Sequence, residues 1–300
     1  MLFRTLLFIP GNNERFIKKS LVLDADILCY DLEDSVPVKE KDVARDLLKM
    51  YFREQKIDNI RSSIYVRINS SESGLAKADL LDMIQSGVDG IVLPKINNSQ
   101  EVNEVTKIIK ELELERGLGV GRIAIIPSIE TARGVVNTYS IARANERVVA
   151  VVFGVFDFLH DMDIGDYGDA TSYSYARSKI PVEAKAANVA SLDAIWQNVN
   201  DIDGLISDAT TARKFGYSGK SLIHPSHIRP VHEVFLPTPK QIEWAKKVFE
   251  ALHGAMEGGS GPGAVTLDGK MIDAVHYKQA KAILEMIRDM NLRKWNVSLD

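Results

Sequence analysis

Short apolar runs recur along the chain, and longer amphipathic stretches separate them. The runs are TLLFIP (5–10), ILCYDLED (27–34), IYVRIN (64–69), GIVLPK (90–95), IAIIPSIE (123–130), VVAVVFGVFD (148–157), DAIWQNV (193–199) and KSLIHP (220–225). Their length and their β-branched and aromatic content read as buried strands. Segments such as EKDVARDLLKMYF, KADLLDMIQSG, SQEVNEVTKIIKELELE and DIDGLISDATTARKFG lie between them and read as helices. Strands alternating with helices predict a parallel sheet, because parallel neighbours need a crossover. Eight such units in roughly 225 residues match an α/β (β/α)8 TIM barrel, with an open doubly wound sheet as the alternative. After the eighth run the pattern changes. PKQIEWAKKVFEALHGAME (239–257) reads as a helix, GGSGPGAV (258–265) as a flexible joint and YKQAKAILEMIRDMN (277–291) as a last helix. The expected division is a catalytic barrel over 1–235 and a C-terminal helical extension over 236–300, acting as oligomer contact and active-site lid.

The ends of the runs carry the candidate chemistry, since barrel active sites gather at the C-terminal ends of strands. Those ends hold Pro10, Glu33 and Asp34, Arg67 and Asn69, Pro94 and Lys95, Glu130, Asp157, and His224 and Pro225. The second run is the most unusual: Asp31, Glu33 and Asp34 follow a stretch of Ile, Leu, Cys and Tyr. Ionised carboxylates are costly to bury unless something pairs with them. Strand alternation puts Tyr65, Arg67 and Asn69 on one face, and Ile126, Ser128 and Glu130 on one face. Arg67 and Glu130 are thereby expected in the barrel mouth, with the carboxylates of the second run joining Glu130 and Asp157 around a cation. Oxygen-only ligands point to a hard metal, Mg2+ before Zn2+. The bland reading of any one of these carboxylates is a helix cap. The connection over 158–180, rich in Asp, Gly and Tyr, is a candidate active-site loop.

Composition narrows the classes. The 300 residues carry a formal net charge of −4, with 45% hydrophobic and 26% charged residues, as in an ordinary soluble globule. An acidic balance argues against a general nucleic-acid partner. The one cysteine, Cys29, precludes an intrachain disulfide, lies within an apolar run and reads as a core residue. No stretch approaches a membrane span, and MLFRTLLFIPGNN lacks the parts of a signal peptide, so the cytoplasm is the expected setting. The six histidines show neither HxH nor HExxH spacing, which argues against zinc. GLGVG (117–121) precedes a strand instead of following one, so it reads as a turn, not a nucleotide loop.

Taken in order, RTLLFIPGNN, DLEDSVPVKEKDVAR, VRIN, GIVLPK, IPSIETARG, FGVFDF, FGYSGKSLIHPSHI and LDGKMIDAV resemble the citrate lyase β-subunit branch of the HpcH/HpaI aldolase superfamily, nearly end to end. The resemblance implies a TIM-barrel carbon–carbon lyase that needs Mg2+. Its substrate class would be citryl-, malyl- or citramalyl-type thioesters, linked to coenzyme A or an acyl carrier protein. It implies metal ligation by Glu130 and Asp157, a substrate contact by Arg67 and a catalytic role for Asp273. From their places at the run ends, Glu33 and Asp34 join Arg67 and Asp273 as candidate catalytic residues, and Pro94 and Lys95 join Arg67 and Glu130 as candidate substrate-binding residues. The Asp of the MID stretch, Asp273 here, is expected to enter a neighbouring subunit's site, and so implies a homo-oligomer, a trimer or a hexamer. Citrate lyase complex subunits are further candidate partners. Two other readings stand beside this one: a malate synthase-like condensation with thioester hydrolysis, and a non-catalytic paralogue acting as an assembly subunit. The chain departs from the family at GVFD, where Phe156 replaces the usual carboxylate of GAED, while Arg177 keeps a family-like place.

Overall fold

The computed structural model describes residues 3–54, 61–165, 170–257 and 265–292. The chain forms two compact units, Met1–Phe235 and Leu236–Asp300. The first is a closed barrel of eight parallel strands in sequence order. These are β1 (Thr5–Pro10), β2 (Ile27–Asp31), β3 (Ser63–Arg67), β4 (Gly90–Leu93), β5 (Ala124–Ile129), β6 (Ala150–Phe153), β7 (Ala190–Asp193) and β8 (Gly219–Leu222). The connecting helices are α1 (Glu14–Ser20), α2 (Lys41–Glu54), α3 (Ala76–Met83), α4 (Ser99–Glu115), α5 (Ala132–Val136), α6 (Thr138–Ala142), α7 (Val155–Asp161), α8 (Ser174–Ala186), α9 (Ile202–Phe215) and α10 (Ile228–Phe235). Asn13, Asn98, Thr131 and Asp201 accept backbone N–H groups at the starts of α1, α4, α5 and α9, satisfying donors that a helix leaves open.

Alternation along the strands sorts their side chains between two cores. Leu6, Ile27, Cys29, Tyr65, Val92, Ile126, Ala150, Val152 and Leu192 fill the barrel interior. Leu7, Leu28, Tyr30, Ile64, Val66, Ile91, Ile125 and Val151 belong to the larger core shared with the helices. Cys29 is wholly buried in the interior, where burial pushes its thiol far above the usual range, as expected of an inert packing residue.

Tyr65 and Gly90 are register partners, and the tyrosine ring fills the space above the glycine. A Cβ at Gly90 would sit 2.2 Å from Tyr65 Cε1. Gly90→Ala therefore displaces Tyr65 inside a packed barrel and is expected to destabilise the fold by ~1–3 kcal/mol. Urea unfolding measures this, and an unchanged midpoint would show that the ring has room to move.

Three expectations need correction. The seventh strand is Ala190–Asp193, ASLD, not 193–199. Its outward Asp193 is wholly buried and accepts from Arg177 at 2.6 and 3.0 Å and from Lys220 at 2.7 Å. Asp208 on α9 completes this network with Lys220 at 2.5 Å. Partners on three other elements thus satisfy polar residues that do not look like a strand in isolation. Arg177 belongs to this network, and burial's downward pull on its pKa is outweighed by Asp193 and Asp208. The second correction concerns the sixth run, whose strand stops at Phe153; the chain turns at Gly154 into α7, so Asp157 lies in a helix's first turn. Third, β2 stops at Asp31, leaving Glu33 and Asp34 in the turn beyond it.

The second unit contains α11 (Pro239–Glu257), a hairpin of β9 (Val265–Leu267) and β10 (Lys270–Ile272), and α12 (Ala274–Leu292). The hairpin was not anticipated. Most of the expected joint, residues 258–264, lies outside the described residues. Ala245, Val248, Leu252, Ile272, Tyr277 and Ala280 form this unit's own core. Among the described residues, no helix is long and apolar enough to cross a membrane.

Candidate active site

Asp31 and Arg67 are register partners at the ends of β2 and β3, so both side chains point into the barrel at the same level. Arg67 donates from Nε to Asp31 Oδ1 at 2.6 Å and from Nη2 to Asp31 Oδ2 at 2.8 Å. This two-pronged contact fixes the plane of the guanidinium. Its third nitrogen, Nη1, lies 3.3 Å from both Glu33 and Asp34, and the group stands 4.7 Å above the Phe8 ring. Burial alone would raise the Asp31 pKa, but Arg67 outweighs it and holds the carboxyl below its ordinary range. Asp31 also accepts the backbone N–H groups of Glu33 at 2.9 Å and Ser35 at 3.0 Å, shaping the turn that carries Glu33 and Asp34. Lys41 on α2 braces the same turn, donating to the carbonyls of Leu32 and Glu33 at 2.6 Å each.

Lys95 closes the other side. Its backbone is left-handed, with φ of 54°, a conformation that side-chain-bearing residues seldom adopt outside constrained sites. That turn aims its N–H at Glu130 Oε1, 2.5 Å away. Its ammonium donates to Glu33 at 2.9 Å and lies 3.4 Å from Asp157 and 3.8 Å from Asp34. These carboxylates outweigh burial and raise the Lys95 pKa, so its charge is locked in.

Glu130 follows β5 and is almost wholly buried. Gly154 makes room for it: a Cβ there would lie 2.3 Å from Glu130 Oε2. Burial, with the charges of Asp157 and Glu33 adding to it, pushes the Glu130 pKa up to about 8. Glu33 is also raised, by burial first, despite Arg67 and Lys95. Its buried Oε2 has no hydrogen-bond partner even with Arg67 Nη1 nearby. This is a corner with more negative charge than its own cations offset. A bound cation would relieve it. The donors there are carboxylate oxygens, as a hard divalent ion prefers. Among the described residues no three His, Cys, Asp or Glu side chains form a ready cage.

A cavity of about 360 Å³ opens onto these groups, lined in part by Asp31, Asp34, Arg67, Glu130 and Asp157. The structure thus brings Glu33, Asp34, Arg67, Lys95, Glu130 and Asp157 together. Pro94 is buried and is not part of the cavity lining. Asn69 does not share Arg67's surroundings: it lies beyond β3, and its backbone and side-chain amides both donate to Asp79 at 2.7 Å. Asp273 caps α12 in the second unit, where its carboxylate accepts from Val275 N at 3.0 Å and meets His276 Nδ1 at 2.7 Å. The imidazole contact lowers the Asp273 pKa. Asp31 was expected among the carboxylates around a cation, and the structure makes it the partner of Arg67 instead. Phe8, under the guanidinium, carried no signal beyond its strand.

The profile of the HpcH/HpaI aldolase/citrate lyase family matches residues 4–225. The citrate lyase subunit beta of Leuconostoc mesenteroides subsp. cremoris is 35% identical over 283 residues, 94% of this chain and 92% of that one. A mitochondrial citramalyl-CoA lyase of Rattus norvegicus is 33% identical over 297 aligned positions, covering 94% of this chain and 85% of that protein. A crystal structure of the protein CitE of Mycobacterium tuberculosis, in complex with magnesium, acetoacetate and coenzyme A, superposes with a TM-score of 0.74 at 26% identity, covering 95% of this chain and 97% of that one. With its barrel, its strand-end carboxylates and this extent of match, the chain belongs to the HpcH/HpaI aldolase/citrate lyase family.

Proposed function

We propose that the protein is a Mg2+-dependent carbon–carbon lyase that splits a hydroxyacyl thioester of the citryl, malyl or citramalyl type into a shorter acyl-thioester and a 2-oxo acid. The observation that carries this reading is the buried Glu130, raised to about 8 beside Asp157 at the mouth of a barrel that also presents Arg67. Glu130 and Asp157 are the residues that would hold the ion. Mg2+ bound there would supply a Lewis acid for the oxygen that becomes the carbonyl. Asp31 fixes the plane of the Arg67 guanidinium, so it is oriented before substrate arrives and needs no rearrangement as negative charge develops nearby. Lys95 keeps Glu33 and Asp157 drawn together and places its own N–H on Glu130, fixing that carboxyl's orientation. Incubating the protein with a panel of citryl, malyl and citramalyl thioesters, with Mg2+ and with EDTA, tests the reading. Oxo-acid release that depends on Mg2+ supports it, and release that is indifferent to EDTA sinks it.

The reading extends to a homo-oligomer, a trimer or hexamer, in which Asp273 serves a neighbouring protomer's site as a proton-transferring group. Asp273→Asn and Glu130→Gln protomers are each expected to be nearly inactive alone. Mixed after dissociation, they should regain part of the wild-type rate, because some sites then combine an intact Glu130 with an intact Asp273. Efficient mixing with no recovered activity would show that Asp273 does not act across subunits.

A further inference from the structure

The mouth of the barrel is chemically divided. Asp31, Asp34, Arg67, Glu130 and Asp157 line one side of the cavity, with Glu33 and Lys95 ion-paired among them. Phe156 on α7, Ile195 after β7, Ile223 after β8 and Phe8 on β1 line the other. Because β6, β7, β8 and β1 are consecutive in the closed barrel, these four follow one another around its mouth as an apolar arc, which meets the charged side where the Phe8 ring lies under Arg67. Ser221, on that arc, donates its hydroxyl to the Asp193 carbonyl at 2.9 Å. Among the described residues that line the cavity, Arg67 is the cation, and two of its nitrogens are bound to Asp31. Lys95 is drawn to Glu33 and Asp157.

A substrate carboxylate and hydroxyl belong on the charged side. The remaining substituent on the hydroxyl-bearing carbon then meets the apolar arc. A second carboxylate there would lose its water without gaining a partner. Arg67 and Lys95 stand on the charged side, engaged by Asp31, Glu33 and Asp157. We propose that the site selects thioesters whose hydroxyl-bearing carbon carries one carboxylate and an apolar group, methyl or ethyl, over those carrying a carboxymethyl arm, and that Phe156 and Ile223 set this choice. The proposal rests on the lyase reading. In the step itself the bond between the hydroxyl-bearing carbon and the thioester's α-carbon breaks. The hydroxyl gives up its proton as its oxygen becomes the carbonyl of the 2-oxo acid. The electron pair of the broken bond passes to the α-carbon, which takes up one proton, so nothing is oxidised or reduced overall.

The test compares kcat/KM for the methyl, ethyl and carboxymethyl substrates with Mg2+, each offered as a coenzyme A thioester and as a carrier-protein thioester. Methyl and ethyl are expected to exceed carboxymethyl by about tenfold or more, the scale at which apolar pockets discriminate. Phe156→Lys and Ile223→Lys each place an ammonium on the arc and are expected to narrow that ratio by about tenfold, mainly by raising the carboxymethyl rate. Ile223 is 39% exposed, so its variant tolerates the longer polar side chain even if Phe156→Lys folds poorly. Equal or better cleavage of the carboxymethyl substrate by the wild-type protein overturns the proposal and leaves the lyase reading standing. A ratio unmoved in the folded variants overturns it as well. Failure to cleave any of the three overturns the proposal, and failure on malyl thioesters as well overturns the lyase reading.

Discussion

Arg67→Lys is expected to lower kcat/KM by about 10²-fold or more while leaving a folded barrel. The guanidinium does two things that one ammonium cannot. Nε and Nη2 engage both oxygens of Asp31, while Nη1 remains near Glu33 and Asp34 at the cavity. A lysine would satisfy the buried Asp31 first and leave nothing oriented toward substrate. Arg67→Met should go further, because an uncompensated buried carboxylate destabilises by about 3–5 kcal/mol. The pH dependence has a definite sign. Asp31 is held below its ordinary 3.8, so its stabilisation is present above that value and is lost as pH falls through the lower folded value. The wild-type protein should lose this contribution in acid, and Arg67→Met should not. Steady-state kinetics and acid unfolding measure the two parts. A near-neutral Arg67→Lys rate would place Arg67 outside the chemistry.

Glu130→Gln is expected to abolish Mg2+-dependent turnover, by about 10²–10³-fold, and yet to stabilise the metal-free protein in alkali. The glutamine amide oxygen can still accept the Lys95 N–H, and it imitates the protonated acid that the buried site prefers. With a folded value of about 8 against 4.5, the wild-type carboxyl favours the fold most below 4.5, and that preference fades as pH rises through 8. Thermal melts in EDTA should therefore show Glu130→Gln gaining on wild type between pH 5 and about 8, by an amount on the order of a few kcal/mol, then levelling. Adding Mg2+ above pH 8 should raise the wild-type melting temperature and leave the variant's unmoved. Parallel melting curves for the two proteins across this range would contradict the assignment of Glu130 as a buried, cation-seeking carboxyl.

Much of this was legible in the chain itself. Apolar runs spaced by amphipathic segments marked seven of the eight strands and their parallel sense, and favoured a barrel over an open sheet. Alternation within a strand determined that Arg67 and Glu130 face inward, since a side chain's face depends on its position along its own strand. That local rule holds only while the strand lasts. It failed at Asn69, past the end of β3, and at Asp157, where Gly154 lets the chain turn under Glu130 into α7. It failed at β7 because Asp193 is paid for by Arg177 and Lys220, residues distant in sequence. What only the tertiary structure decided is which inward groups meet. The register of β2 against β3 sets Asp31, not Glu33 or Asp34, against both prongs of Arg67. The left-handed turn at Lys95 sets a backbone N–H on Glu130. Closure of the barrel gathers Phe8, Phe156, Ile195 and Ile223 from four separate segments into one wall. Periodicity reports how each strand divides its side chains between two faces. Register and closure arise from hydrogen bonds and packing between strands, so no single run of residues contains them.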